Sequence, residues 1–179
     1  MKKYINAFDY AGDIIKSLDD GILLTAKCGD KVNSMTIGWE HIGIEWGKPI
    51  FVAYVRENRF TRGMLDETLE FTVNTPYGEY DKKIIGFCGS KSGRDTDKVG
   101  TLGLTLETPD VINTPGIKEL PLTLECKVLY RQKQDLAAIP DEIKAKYYPQ
   151  NVDGLFYGSN RDAHIVYYGE IVSAYIIEG

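Results

Sequence analysis

The chain reads Lys31-Val-Asn-Ser-Met-Thr-Ile-Gly-Trp39 and, after a short interval, Pro49-Ile-Phe-Val-Ala-Tyr-Val-Arg-Glu-Asn-Arg-Phe-Thr61. In the first segment a run of small polar residues enters an apolar strand. In the second segment an apolar strand leaves into a polar, basic turn. The second strand, residues 50–56, carries apolar side chains on both faces, so we expect both faces to be covered. The rest of the chain is interpreted around these two strands.

Size and charge limit the classes of function. The chain has 179 residues, of which 43% are hydrophobic and 26% charged, and we expect one domain spanning 1–179. Lys and Arg total 21 and Asp and Glu total 26, which gives a formal charge of -5. A nucleic-acid partner needs a basic face, so an acidic balance argues against one.

The cysteines and the apolar runs indicate in which cellular compartment the protein is expected. Cys28, Cys88 and Cys126 form no C-x-x-C pair, and an odd number of cysteines is typical of reduced thiols, to which we assign no role. No apolar run approaches the roughly 20 residues of a membrane span, and the N-terminus lacks the apolar segment of a signal peptide. We expect a cytoplasmic protein with no membrane partner.

No His/Cys cluster has metal-ligand spacing, so no metal site is predicted.

The pattern predicts strands separated by turns, with a few short helices. Strands are expected at 22–28, 32–38, 50–56, 70–74, 120–130 and 164–177, and helices at 8–18, 59–66 and 80–88. Loops are expected at 40–48 and at 105–118, the second around a short extended piece. Residues 134–161 are expected to be an insertion with one short helix. Asn58 is expected to cap the second helix, Gly89 to lie at the C-terminal glycine position of the third, and Gly169 to mark a bulge or a close backbone approach. Because strands and helices do not alternate, we predict a mainly β, mostly antiparallel barrel with peripheral helices.

Three separated segments combine hydroxyl, amide and cationic groups, which are the groups that bind a phosphate. Their polar members are Asn33, Ser34 and Thr36, then Arg56, Asn58, Arg59 and Thr61, then Ser90, Ser92, Arg94 and Lys98. The second segment joins a strand end to a helix start, where free N–H groups favour an anion. The alternatives are a polar strand entrance, a solvated basic turn and a flexible surface loop. Met35 and Trp39 are candidates for packing on a ligand ring, or for plain core positions.

His164 is one of two histidines and opens the last strand. It is a candidate to donate a proton or a hydrogen bond near neutral pH. The alternative is a structural histidine at a strand start.

Several blocks in order resemble the flavin reductase-like family, with the closest resemblance to its flavoredoxin-like branch. The blocks are Asn33-Ser-Met-Thr-Ile-Gly-Trp39, Tyr54-Val-Arg-Glu-Asn-Arg-Phe-Thr61, Phe71-Thr-Val-Asn74, Cys88-Gly-Ser-Lys-Ser-Gly-Arg-Asp95 and His164 with Gly169-Glu-Ile-Val172. Two positions depart from the family pattern. Members often have serine where Asn58 stands, and reductases tend to carry Gly-Asp-His where this chain has Asp162-Ala163-His164.

The resemblance implies an FMN-binding split β-barrel of antiparallel, Greek-key type, usually a homodimer with FMN near the subunit interface. It also implies roles by position. Asn33, Ser34, Met35, Thr36 and Trp39 would line the flavin, Arg56, Asn58, Arg59 and Thr61 would serve its phosphate side, and Ser90, Ser92, Arg94 and Lys98 would close the pocket. His164 would be the catalytic residue near the nicotinamide or the ring face.

The function implied by the resemblance is an FMN protein that passes electrons. It would be an NAD(P)H:flavin oxidoreductase with NADH or NADPH as donor, or a flavoredoxin-like carrier that serves a redox partner protein. The alternative, from another class, is a non-catalytic flavin-binding or structural dimer.

Overall fold

The structure, a computed structural model, describes residues 1–153 and 161–178. In that part of the chain the strands are β1 (Lys2–Tyr4), β2 (Ile22–Cys28), β3 (Lys31–Ile37), β4 (Glu40–Glu45), β5 (Lys48–Arg56), β6 (Glu70–Thr75), β7 (Leu106–Glu107), β8 (Gly116–Ile117), β9 (Leu122–Lys133) and β10 (His164–Ile177). The helices are α1 (Ala11–Ser17), α2 (Phe60–Thr68), α3 (Lys83–Ser90), α4 (Lys98–Leu102) and α5 (Asp141–Tyr147), with 3-10 turns at Ala7–Tyr10 and Leu136–Ala138. The strands predicted at 22–28 and 164–177 are found with those bounds.

The main sheet is antiparallel and runs in the order β3-β2-β6-β9-β10-β5-β4, with β1 beside β10. β3 and β4 follow one another in the chain, separated by Gly38 and Trp39, yet they occupy opposite ends of this order. Successive Cα atoms are about 3.8 Å apart. A link of two residues therefore brings the two ends of the sheet close together. The sheet is therefore curled into a barrel whose hydrogen-bonded path starts at β3 and ends at β4. This confirms the predicted antiparallel split barrel.

The barrel core is filled by the inward faces of the strands. In β5 the inward residues Phe51 and Val55 have no exposed surface, and the rings of Phe51 and Phe71 pack 6.3 Å apart. On the opposite face of β5, Val52 and Tyr54 are only half-buried. The expectation that both faces are covered is therefore met only in part within this chain.

Two amphipathic helices cover the barrel at different places. α2 buries Met64 and Leu65 in the barrel core. α3 packs Ile84 and Ile85 against Leu23 of β2 in a second hydrophobic cluster. Each fully buried side chain of this size contributes roughly 1.5–3 kcal/mol to stability. None of the described helices is long and apolar enough to cross a membrane.

Gly169 lies at an irregularity of β10, as the sequence predicts. The pairing of β10 with β9 shifts register between Tyr168 and Gly169. A Cβ at position 169 would lie 2.6 Å from Phe71 Cζ and 3.0 Å from Cys126 Cβ. Real Cβ atoms do not approach a neighbour as closely as 2.6 Å, so the tight packing against Phe71 favours glycine at this irregularity.

The predicted 40–48 loop contains a strand, and the short extended piece expected within 105–118 is present as two short strands. Residues 40–45 of the 40–48 loop form β4, and the 105–118 loop contains the paired β7 and β8. β4 is an edge strand with one neighbour, so its sequence does not need strict alternation of apolar and polar residues. β7 and β8 have two residues each, which is too short to show a period.

Two predicted helix ends are wrong. α2 begins at Phe60, so its N-cap residue is Arg59, which makes no side-chain cap bond, and not Asn58, whose backbone N–H donates to Asp162 Oδ2 at 2.9 Å. α3 does not end at Gly89 but continues to Ser90. Gly89 packs closely on β3, where a Cβ at position 89 would lie 3.3 Å from Thr36 Cβ.

The predicted insertion is described only in part. Its short helix is α5, as expected, and its residues 154–160 lie outside the described residues. Tyr147 and Tyr148 at the end of α5 reach the rings of Trp39 and His164, so this helix helps to build the site.

Candidate functional site

Asn33 ties β3 to the start of α2. Its side chain is buried, and its Nδ2 donates a hydrogen bond to Thr61 Oγ1 at 2.7 Å. Thr61 lies in the first turn of α2 and is buried as well. A buried polar group without a partner costs about 1–3 kcal/mol, so this bond fixes both side chains. Two predicted site residues from different segments are therefore in direct contact.

The other polar residues of β3 bond within the protein. Ser34 Oγ lies 2.7 Å from Thr25 Oγ1 on β2, and Thr36 Oγ1 donates to Ile85 O of α3 at 2.6 Å. Met35 belongs to the barrel core. These three side chains therefore hold β2, α3 and the core against β3.

Lys98 is a buried cation between two elements. Its Nζ donates to Ser34 O and to Cys88 O, each at 2.8 Å. Burial is the main cause that lowers the pKa of the Lys98 amine to about 8. The neighbouring Asp97 caps α4 by accepting a hydrogen bond from the backbone N–H of Gly100 at 3.1 Å. Lys98 therefore fastens the 90–98 segment to β3 and α3.

Gly93 and Arg94 bring the 90–98 segment against the other two segments. A Cβ at position 93 would collide with Asn33 Oδ1 and would lie 2.7 Å from Phe60 Cδ1, so the close approach requires glycine. The Arg94 guanidinium donates to Asn58 O at 3.0 Å. The three segments singled out in the sequence therefore meet in the folded chain.

Ser90 and Ser92 make local bonds. Ser90 Oγ donates to Phe87 O at 3.4 Å, and Ser92 Oγ accepts a hydrogen bond from the backbone N–H of Arg94 at 3.2 Å. The second bond is a side-chain turn of the kind that shapes loops. It sets the direction in which Arg94 leaves the loop.

Two adjoining clefts open where the segments meet. The first has a volume of about 400 Å³ and is lined by Asp30, Lys31, Val32, Asn33, Gly93, Arg94, Asp95, Thr96 and Asp97. The second has a volume of about 410 Å³ and is lined by Cys28, Lys31, Glu57, Arg59, Phe60, Arg62, Gly63, Met64, Glu67 and Arg94. Lys31 and Arg94 line both clefts, so the two share a cationic border. Cations beside the start of a helix favour an anion.

His164 and Trp39 lie in an aromatic group at the junction of β5 and β10. His164 is buried, its ring lies 4.7 Å from the Trp39 ring, and its Nδ1 lies 2.9 Å from Tyr148 Oη. The ring of Tyr54 approaches His164 edge-on at 6.2 Å. Trp39 itself is 39% exposed, so the group has one face open to a ligand or a partner.

His164 is neutral at pH 7. Burial is the largest cause that lowers its pKa to about 3, followed by the positive charges of Arg56 and Arg59. An imidazolium is therefore not populated near neutral pH, so His164 would act there through the N–H and the lone pair of the neutral ring, and its catalytic role stays a prediction. The hydrogen-bonding groups of the neutral ring are still present.

Arg56 belongs to this aromatic group. Its guanidinium donates to Asp162 O at 2.6 Å and to Tyr147 O at 3.0 Å, and lies 5.0 Å from the centre of the Tyr148 ring. Burial is the main cause that lowers its pKa. Because Asp162 also accepts the backbone N–H of Asn58, it links the aromatic group to the start of α2.

Arg59 is electrostatically close to both parts of the site. Its positive charge lowers the pKa of His164 and also that of Lys98. Arg59 also lines the second cleft. The clefts and the aromatic group are therefore neighbouring parts of one region.

Several residues of this region are missing from the sequence-based set. Lys31, at the start of β3, borders both clefts, and Phe60 lines the second cleft beneath the Lys31 ammonium at 4.4 Å. Tyr148 and Gln134 come from the predicted insertion. The only sequence signal for Tyr148 was the aromatic pair that ends α5, because a polar insertion gives no reason to expect a contact with His164.

Comparison with known proteins identifies the family. A sequence model described as the flavin reductase like domain matches residues 21–179. The chain belongs to the flavin reductase-like family. Among solved structures, this flavin reductase-like protein is similar to flavoredoxin from Methanosarcina acetivorans, with 26% identity, a TM-score of 0.63 and coverage of 88% of this chain and 69% of that one. The resemblance seen in the sequence is confirmed.

Two further comparisons concern the fold and the length. An FMN-binding protein from Thermus thermophilus, solved with bound 1-cyclohex-2-enone, shares the fold at 20% identity and a TM-score of 0.61, over 89% of this chain and 71% of that one. An uncharacterized protein of Archaeoglobus fulgidus is 30% identical over 100 residues, which are 56% of this chain and 55% of that protein. The match therefore spans about half the length of that relative. Family membership assigns this flavin reductase-like protein to the flavin-related redox proteins.

Proposed function

We propose that this protein binds FMN where the three segments meet and passes electrons through it, as an NAD(P)H:flavin oxidoreductase or as a flavoredoxin-like carrier. The observation that carries the proposal is the convergence of residues 33–36, 58–61 and 90–98 on two clefts with a shared cationic border. The family membership supports the flavin, and the similar flavoredoxin supports the carrier version.

The groups around the clefts fit the chemistry of FMN. A phosphate with about two negative charges needs cations and N–H donors, and Lys31, Arg59 and Arg94 line the clefts beside the start of α2. Hydroxyls of a ribityl chain need acceptors, and Asp95 and Asp97 line the first cleft. The volumes of about 400 and 410 Å³ are those of small-molecule sites.

Each part of the chain has a defined task in this proposal. FMN, when bound, supplies the redox chemistry, and the protein supplies binding and orientation. Arg59 and Arg94 bind the phosphate. The hydrogen bond between Asn33 and Thr61 holds β3 and α2 together beside the clefts. Trp39 shields the flavin ring from water. His164 stays neutral and orients a bound group by hydrogen bonding.

Spectra of the purified protein test the proposal. We expect FMN to bind with flavin absorbance bands, and NADH or NADPH to bleach them anaerobically if the protein is a reductase. Bleaching only by dithionite or by a reduced partner protein would favour the carrier. A protein that stays colourless after incubation with FMN would contradict both versions and leave the structural dimer.

The phosphate assignment predicts the behaviour of a double variant. Arg59→Ala with Arg94→Ala should raise the Kd for FMN at least about 100-fold, because hydrogen bonds to charged groups contribute roughly 1.5–3 kcal/mol each. The Kd is measured by fluorescence titration at fixed salt concentration.

The matched control removes the same charge elsewhere. Lys82 and Lys118 form ion pairs with Asp20 and Glu107, away from both clefts. Lys82→Ala with Lys118→Ala should leave the Kd for FMN within about twofold, since exposed ion pairs contribute little. Equal affinities for FMN in the two double variants would remove the phosphate assignment.

The homodimer expected from the resemblance is part of the same proposal. One sheet face carries Trp46, Val52, Tyr130 and Tyr168, which we call the aromatic face; the rings of Tyr130 and Tyr168 lie 5.2 Å apart, and Trp46 lies 6.5 Å from Tyr130. Exposed contiguous apolar patches are typical of binding surfaces. Tyr54 continues this face to His164, so a second copy seated here would complete the cover of β5 next to the aromatic group around His164.

A further inference from the structure

The bonds around His164 determine which of its ring nitrogens carries the proton. Gln134 Oε1 lies 2.9 Å from Tyr148 Oη and 3.4 Å from the backbone nitrogen of His164. A backbone N–H donates and does not accept, so the Gln134 side-chain atom that faces it is the amide oxygen. The same oxygen is then the acceptor for the Tyr148 hydroxyl.

Tyr148 has one hydroxyl proton, and it donates that proton to Gln134. The second contact of its oxygen, with His164 Nδ1 at 2.9 Å, is therefore a bond that Tyr148 accepts. The opposite arrangement would set the oxygens of Tyr148 and Gln134 against each other without a proton between them. His164 thus carries its proton on Nδ1.

The neutral state leaves His164 with a single ring proton. Burial and the nearby Arg56 and Arg59 exclude the doubly protonated ring near neutral pH, because they lower the pKa of His164 to about 3. Nε2 therefore carries a lone pair, and it has no hydrogen-bond partner among residues 1–153 and 161–178. Trp39 lies against one face of the ring and restricts its rotation.

We propose that Gln134 and Tyr148 are positioning residues that hold His164 as the Nδ1–H tautomer, so that Nε2 accepts a hydrogen bond from an amide or imide N–H of the redox ligand. The inference rests on the proposed function, because such groups occur in the carboxamide of a nicotinamide donor and in the imide of the flavin ring. His164 is then an acceptor that orients the ligand, and it does not move a proton.

The tautomer can be read directly by NMR. The chain has two histidines, so two-bond ¹H–¹⁵N correlation spectra of labelled protein contain few signals, and the His41→Gln variant identifies those of His164. We expect His164 to show the Nδ1–H pattern and to keep it without titrating between about pH 5.5 and 8. An Nε2–H pattern or a titrating ring in the unmodified protein would overturn the proposal.

The hydrogen bonds from His164 to Tyr148 and from Tyr148 to Gln134 form a chain, which we call the relay, and two variants break it at different points. Tyr148→Phe removes the acceptor of the Nδ1 proton, and Gln134→Leu frees the Tyr148 hydroxyl to donate to Nδ1. Both should shift His164 to the Nε2–H tautomer, which free histidine favours in water. Gln134→Glu retains an acceptor and should keep the Nδ1–H pattern, and Tyr147→Phe removes a neighbouring hydroxyl outside the relay as a control. A His164 that stays Nδ1–H in both breaking variants contradicts the positioning role.

Binding measurements identify the ligand group. If the nicotinamide carboxamide donates to Nε2, Tyr148→Phe should raise KM for NADH or NADPH roughly fivefold to tenfold and leave the Kd for FMN unchanged. If the flavin imide donates, the Kd for FMN rises by that factor instead. If Tyr148→Phe changes neither the KM for NADH or NADPH nor the Kd for FMN, the proposed hydrogen bond between His164 Nε2 and the ligand is wrong. A protein that binds no FMN but shows the tautomer shift would contradict the proposed function and leave the Gln134–Tyr148–His164 relay intact.

Discussion

Buried ionisable side chains in this protein differ in how they are stabilised. Lys98 has two carbonyl partners, and His164 stays neutral with one tyrosine partner. Glu40, at the start of β4, is buried and neither carboxylate oxygen has a hydrogen-bond partner in the described part of the chain. Burial raises the pKa of Glu40 to about 7. An unpaired buried carboxylate is costly, so Glu40 is held at the expense of stability.

Glu40 makes stability depend on pH. Its folded-state pKa of about 7 lies above the ordinary value of 4.5. Between these values the folded state binds more protons than the unfolded state, so the free energy of unfolding falls as pH rises from about 4.5 to 7. The loss is then complete above pH 7 and amounts to about 3 kcal/mol.

The Glu40→Gln variant tests this assignment. We expect it to raise the free energy of unfolding by roughly 2–3 kcal/mol at pH 8 and to flatten its fall between pH 5 and 7, in urea titrations at several pH values. Glu45→Gln, on the same strand and exposed, is the control and should change neither quantity. If the free energy of unfolding of Glu40→Gln still falls between pH 5 and 7, the pH dependence comes from another group.

At the scale of elements, the sequence predicts what periodicity and turn chemistry determine. The apolar runs of β2, β5 and β10 are long enough to identify strands, and the stripe of α3 identifies a helix. β4 was missed because an edge strand tolerates a mixed pattern. Tyr148 and Gln134 were missed because their contacts with His164 join an insertion to β10, and no local pattern encodes such a meeting.

The bulge of β10 gives an element-scale prediction. Gly169→Ala should lower the free energy of unfolding by about 1–3 kcal/mol, because its Cβ would press on Phe71 and Cys126 in a closely packed core. The change is measured by thermal and urea unfolding. Gly43→Ala in β4 is the matched control, since no atom lies within 4 Å of the added Cβ, and it should be close to neutral. Equal stability of the two variants would mean that the core relaxes around position 169.

At the scale of the whole molecule, the aromatic face is the surface on which the dimer proposal is tested. Trp46→Asp with Tyr130→Glu places two charges on this face, and Asp tolerates the positive φ of 53° at position 46. We expect the dimer Kd to rise at least about 100-fold, so that sedimentation velocity shows a monomer at micromolar concentration.

The control for that experiment charges exposed apolar residues elsewhere. Ile15 on α1 is 54% exposed and Val111 in the loop before β8 is 48% exposed. Ile15→Glu with Val111→Glu should leave the assembly unchanged. If both double variants sediment like the unmodified chain, the aromatic face is not the contact between copies.

The short link between β3 and β4 also constrains the order in which the chain folds. β3 pairs with β2 and β4 pairs with β5 as neighbours in sequence, but the barrel closes at Gly38 and Trp39 only when β6, β9 and β10 join these two hairpins. The pairings of β2 with β6 and of β5 with β10 join residues far apart in the chain, and such pairings form late and slowly, since loop closure precedes the contacts that reward it. The junction of β3 with β4, beside the proposed FMN site, is thus completed last, and FMN added during refolding should bind only after the slowest phase has ended.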